Sequence, residues 1–129
     1  MIIRTLAAVS LALALTACGT DAMHSVESIF SPSQADQDLS AGIKNYNDGN
    51  YPLAAKLLQS SLDGGLARGS DQAKARKHLA FMHCAANRIT PCRDQFRLAL
   101  KADPGFELTP AEIGHPTWGP VYRAVKSGR

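Results

Sequence analysis

Gly42-Ile43-Lys44-Asn45-Tyr46-Asn47-Asp48-Gly49-Asn50-Tyr51-Pro52-Leu53-Ala54 is the stretch whose reading decides the fold. Upstream of Asp48, the apolar residues Leu39, Ile43 and Tyr46 recur at the four-then-three spacing that lines one face of an α-helix. Asp48-Gly49-Asn50 then stops the helix, because glycine reaches turn conformations that other residues resist. A second helical run, Pro52 to Leu62, opens with proline in its first turn, where the missing N–H has no helical partner to lose, and is closed by Gly64-Gly65. Two helices joined by so short a turn run antiparallel, so the stretch predicts a helix hairpin. Small residues at Gly42 and Ala54 let the helices approach, and Tyr51 with Leu58 is expected to fill the interior.

Taken together, Gly42, Gly49, Tyr51, Ala54, Leu58 and Leu62 resemble the tetratricopeptide repeat, a helix pair of about 34 residues. Two positions depart from that pattern: Asp38 replaces a bulky residue early in the first helix, and Ser61 a small residue in the second. A second copy places Leu79 and Ala80 on one helix and Phe96, Ala99, Leu100 and Pro104 on and after the next. Gly42 and Ala80 lie 38 residues apart, and the surplus falls in the connector Gly64 to Gly69, which is expected to be a mobile loop. Ser70 or Asp71 is expected to cap the third helix.

The expected fold is therefore all-α, with two TPR-like right-handed helical hairpin repeats over residues 35–129 and a C-terminal cap over 109–129. In the cap, Thr109-Pro110-Ala111-Glu112 carries the signature of a capping box with proline at the first helical position. A last helix bears Val121, Tyr122 and Val125. Stacked hairpins bury an apolar face only against a neighbour, so the open end needs covering, and Trp118, Val121 and Tyr122 suit that task.

At the other end of the chain, Arg4, an apolar core from Leu6 to Leu15 and the tetrapeptide Leu15-Thr16-Ala17-Cys18 resemble a bacterial lipoprotein export signal. The run from Ile2 to Ala17 is 16 residues, short of the roughly 20 needed to span hydrocarbon. The resemblance implies that residues 1–17 are removed and that Cys18 becomes a lipidated N-terminus, a covalent lipid being the only added group expected. Residues 18–34 read as a flexible tether, rich in Ser, Asp and Ala and containing Pro32. Gly19 follows the lipidated residue in place of the aspartate that retains lipoproteins at the inner membrane, so the resemblance implies an outer-membrane anchor facing the periplasm.

Removing the signal leaves 112 residues, enough for one domain. Charge is divided unevenly along them. Residues 19–66 hold six acids against two bases, and residues 67–129 hold eleven bases against five acids. A basic half points to an anionic cell-wall polymer or acidic partner surface, or to a solvated helix face. Nucleic acid does not suit an exported protein.

With Cys18 lipidated, Cys84 and Cys92 remain, in an oxidising compartment and flanking the turn between two antiparallel helices. A Cys84–Cys92 disulfide is the expected reading, with two buried thiols packing as small apolar residues as the alternative. A metal site from His78, His83, Cys84 and Cys92 fits poorly, because His78 and His83 are five residues apart, about 140° around a helix.

The chain carries no nucleophile elbow, phosphate loop or paired-carboxylate constellation, which argues against an enzyme and a small-molecule substrate. Candidate partner-binding residues are Tyr46, Asn47, Lys74, Lys77 and Phe81 on the first helices of the two hairpins, a mixture suited to an amphipathic or acidic peptide. His115 and Trp118 join them either as a recognition surface or as part of the cap. The lipobox, the "HC…CRDQF" turn and the ending "DPGFELTPAEIGHPTWGPVYR" together resemble the TssQ-like lipoproteins associated with type VI secretion. That resemblance implies an accessory protein of an envelope-spanning secretion apparatus with no chemistry of its own.

Overall fold

A computed structural model of the chain describes residues 31–129, and the expected export signal, the expected lipidation at Cys18 and most of the expected tether lie outside the described residues. Pro32–Arg129 forms one compact unit. Every regular element among the described residues is helical: α1 (Gln34–Asn47), α2 (Tyr51–Asp63), α3 (Gly69–Ala85), α4 (Ile89–Ala102), α5 (Pro110–Ile113) and α6 (Gly119–Lys126).

Helix α1 begins at a capping box absent from the sequence expectations. The Ser33 hydroxyl accepts from the Asp36 amide at 3.2 Å, and the Asp36 carboxylate accepts from the Ser33 amide at 3.1 Å. Gly49, at φ +79, makes the turn into α2, a left-handed conformation that favours glycine. The close approach of the two helices occurs where the sequence placed it. A Cβ on Gly42 would lie 2.8 Å from Leu58 Cγ and 3.1 Å from the Leu58 amide nitrogen, while Ala54 and Leu58 are fully buried.

The two departures from the repeat pattern both find partners in this hairpin. Asp38 accepts from Ser60 Oγ at 2.6 Å and from Gln34 Nε2 at 2.7 Å, which ties α1 to α2 at the surface. The Ser60 bond, followed by that from Gln34, holds its carboxyl below the ordinary value. Ser61, completely buried, donates to the Leu58 carbonyl at 2.7 Å and so carries no unsatisfied hydroxyl into the core.

The connector after α2 differs from the mobile loop expected of it. Leu66 is buried against Ala35, Leu39, Leu58, Ala75 and Leu79, and its carbonyl accepts from Gln72 Nε2 at 2.8 Å. One well-placed leucine pins the extra residues to the core. Helix α3 also starts without the expected cap: its N-cap is Arg68, which makes no side-chain cap, and Asp71 lies inside the first turn. There the Asp71 carboxylate accepts from Arg68 Nε at 2.6 Å and Lys74 Nζ at 3.3 Å. Burial pushes its pKa up, but these two cations prevail and hold it below the ordinary value.

Helix α3 separates two cores. Ala75 and Leu79 join the first, while Ala73, Ala80, Phe81 and Cys84 join a second completed by Cys92, Phe96, Ala99, Phe106, Leu108, Tyr122 and Val125. Helix α6 packs on α4 through Tyr122, whose ring lies edge-on to Phe96 and Phe106 at 5.4 and 5.9 Å. The Tyr122 hydroxyl donates to the Phe106 carbonyl at 3.0 Å, satisfying the polar tip of a fully buried side chain. The Thr109–Glu112 capping box forms as the sequence indicates.

Replacing Gly42 by Ala should destabilise the domain by about 1–3 kcal/mol, since the added methyl meets both the Leu58 side chain and its backbone. Alanine gains roughly 1 kcal/mol over glycine inside a helix, which offsets part of this, and the contact with the Leu58 backbone, which cannot swing aside, keeps the net effect destabilising. Urea denaturation of the two proteins measures the difference, and an unchanged or raised midpoint would refute the close-approach argument.

Candidate functional site

The end of the domain that carries the α1–α2 and α3–α4 turns holds an open groove of about 690 Å³. Its aromatic wall is assembled from three parts of the chain. Tyr46 comes from the last turn of α1, Phe81 from α3, and Trp118 from the turn before α6. Tyr51, Met82 and Ala85 extend this lining, and Arg88 and His115 add polar groups to it.

The aromatic side chains hold one another in place. Trp118 stacks on Phe81 at 4.3 Å with the planes 22° apart, and His115 lies parallel to Trp118 at 3.5 Å. His115 and Phe81 make no ring contact with each other, so they take opposite faces of the indole. The indole N–H donates to the Glu112 carbonyl at 2.9 Å. With both faces and its polar edge engaged, Trp118 serves as a structural wall of the groove. His115 Nδ1 accepts from the Thr117 amide at 3.2 Å.

Behind this wall, His78 is buried beside Tyr46, their rings meeting edge-on at 4.9 Å. Its Nδ1 lies 2.8 Å from the Lys74 carbonyl, which only accepts, so Nδ1 carries the hydrogen in the neutral ring. Burial pushes the His78 pKa down, and the carbonyl bond only partly offsets this. Lys77 is not free to meet a partner: its ammonium donates to Glu112 Oε1 at 2.7 Å, with both side chains largely covered. Burial raises the Glu112 pKa, but the bonds from Lys77 and Thr109 hold the carboxylate below its ordinary value. The pair fastens α5 to α3.

Of the expected partner-binding residues, the structure brings Tyr46, Phe81, His115 and Trp118 together in one groove. Asn47 is exposed outside it. Lys74 pairs with Asp71 in the first turns of α3, about 16 Å along the helix from Ala85. Tyr51, expected inside the hairpin, is 52% exposed and stands edge-on to Tyr46 at 5.5 Å. Placed as the first residue of α2, it falls at the helix end, where the interior has already given way to solvent. Arg88 and Met82 were not singled out in the sequence. The signal was available in topology, because both turns of an up-down helix array come to the same end.

Cys84 and Cys92 stand at disulfide distance across the α3–α4 turn, with Cα atoms 5.2 Å apart and both side chains buried. The turn spans only Ala86 to Arg88, since α4 begins at Ile89 and Asn87, at φ +58, reverses the chain. No group of His, Cys, Asp and Glu that could hold a metal ion occurs among the described residues. Comparison of the chain with protein-family models, with curated proteins and with solved structures gives no match. What fold and site define is an all-α domain with an aromatic-walled groove at its turn end.

Two outcomes follow from the chemistry around the groove. Mass spectrometry of alkylated protein prepared without reductant should find Cys84 and Cys92 unmodified, and a Cys84→Ala/Cys92→Ala variant should lose about 2–3 kcal/mol in urea. Alkylation of both thiols without reductant would refute the bridge. Separately, His78 has a folded pKa below its unfolded value, so it opposes folding once the unfolded ring takes up a proton. Stability should decline as pH falls below about 6.5, with one histidine contributing no more than about 1.4 kcal/mol per pH unit. His83, also lowered by burial and then by Arg88, acts in the same direction. Thermal melts of a His78→Leu variant should depend less steeply on pH than wild type over this range, and an equal slope would exclude His78 as a source.

Proposed function

We propose that this chain is a membrane-anchored periplasmic lipoprotein that works as a protein-interaction scaffold, an accessory component of a type VI secretion system. The observation that carries the scaffold reading is the aromatic-walled groove of about 690 Å³, lined mainly by apolar side chains and open to solvent. An apolar concavity with a few polar groups is the usual form of a binding site. The hairpins α1–α2 and α3–α4 are read as two TPR-like repeats, with the C-terminal segment as their cap. The site supplies no paired acid and base and no activated nucleophile, so the reading is non-enzymatic.

Anchoring and secretion rest on the residues quoted from the sequence: Leu15-Thr16-Ala17-Cys18 for the lipid, Gly19 for the outer membrane, and the ending from Asp103 to Arg123 for the secretion apparatus. An envelope lipoprotein of another assembly machinery, or a cell-wall-contacting anchor, would share the anchor and differ in its partner. Holding the groove at a membrane raises the effective concentration of anything else held there.

Incorporating a photocrosslinking amino acid at Tyr51, exposed at the groove, should trap an envelope protein in living cells. Ala85→Arg, which fills the groove from an exposed position, should abolish that product while leaving the helical circular dichroism unchanged. Cys18→Ser should abolish palmitate labelling and reduce the crosslink. Persistence of the same product in the Ala85→Arg protein would remove the groove from the proposal, and labelling that survives Cys18→Ser would remove the anchor.

A further inference from the structure

The composition of the groove narrows what fills it. Arg88 is its only lining residue with a permanent charge, and no acid lines it. Arg88 is exposed and has no ion pair among the described residues. Glu112, whose carbonyl holds the Trp118 indole, already has its carboxylate paired with Lys77. The groove therefore presents one uncompensated guanidinium beside an apolar cavity.

The backbone that carries Arg88 is held on both sides. Its amide donates to the His83 carbonyl at 2.8 Å, Asn87 before it is left-handed, and Cys84 and Cys92 close the turn. A guanidinium on a fixed turn loses little backbone freedom when it binds, and its planar fork matches a carboxylate in two parallel hydrogen bonds. A flat sugar is disfavoured, because both faces of Trp118 are covered. The aromatic surface left for a ligand is Tyr51, which is half exposed, with the edge of Tyr46 beside it.

We infer that the groove binds a segment of a partner protein that carries a bulky apolar side chain with a carboxylate close by in sequence. The apolar side chain enters between Tyr46, Tyr51 and Met82, and the carboxylate pairs with Arg88. This rests on the groove being the binding site proposed above and adds the class of its ligand.

A displayed library of random peptides, selected on the full chain held in nanodiscs, tests both steps separately. Selection should enrich peptides with an aromatic or large aliphatic residue near Asp or Glu, and groove-blocked Ala85→Arg protein should enrich none of them. The best peptide, synthesised with its acid changed to the amide, should bind wild type about fivefold more weakly. Arg88→Gln should bind both forms alike while still preferring the apolar residue, and its circular dichroism should match wild type because Arg88 is exposed. Enrichment of apolar peptides with no acid preference would overturn the carboxylate pairing and leave the groove standing. Equal enrichment on wild type and Ala85→Arg would overturn the groove itself.

Discussion

The architecture depends on α3 being buried on two opposite sides. Ala75 and Leu79 face the core shared with α1 and α2, while Ala80, Phe81 and Cys84 face the core shared with α4 and the C-terminal segment. A helix enclosed in this way has no wide polar face and so loses the simple amphipathic stripe. It also needs small side chains where neighbours press in, and Ala73, Ala75 and Ala80 are almost completely buried. The same enclosure explains why Asp71 and His78 are internally partnered: polar groups that leave water on this helix must find hydrogen bonds within the protein.

The second consequence of that arrangement is that α4 has an apolar flank that no third hairpin among the described residues covers. Phe96 and Ala99 would face water there. Phe106, Leu108, Tyr122 and Val125 close this flank. The chain between Leu108 and Tyr122 runs against α3 on the way. Thr109 and Glu112 cap its short helix, Lys77 fastens it to α3, and Trp118 stacks on Phe81. A segment recruited to close one face thus ends by walling a groove on another. The two readings of Trp118, structural cap and recognition surface, meet here: the ring is structural, and the cavity it borders is what a ligand would meet.

How far the sequence spoke can be followed residue by residue. Leu39, Gly42, Ala54, Leu58, Phe96 and Ala99 were legible because each depends only on helical period and on the close contact between paired helices. Thr109 and Glu112 were legible for a similar reason, since a capping box is a local matter spanning four residues. Ser33 and Asp36 form the same device and could have been read in the same way. What could not be read depended on contacts between distant parts of the chain. Lys77 looked like a free cation on a concave face until Glu112, 35 residues later, folded against it. Leu66 looked like part of a loop until the core of the first hairpin was seen to need one more side chain. Tyr51 looked interior by analogy with the repeat pattern, yet its place at the first residue of α2 leaves it half in solvent.

The position of the groove at the turn end also bears on how rigidly a ligand would be met. Loops are ordinarily the mobile part of a helical array. Here the α3–α4 turn is three residues long, reversed by one left-handed asparagine, and flanked by two buried cysteines at bonding distance. The opposite wall is fixed by the stack of His115, Trp118 and Phe81. Pre-ordered walls reduce the conformational entropy lost on binding, which matters most where contact area is small. Among the groups at this end, Arg88 and Tyr51 project from ordered backbone without being used to hold the fold. They have the properties expected of contact residues, whereas Lys77 and Trp118, the more conspicuous residues in the sequence, are committed to maintaining the site's shape.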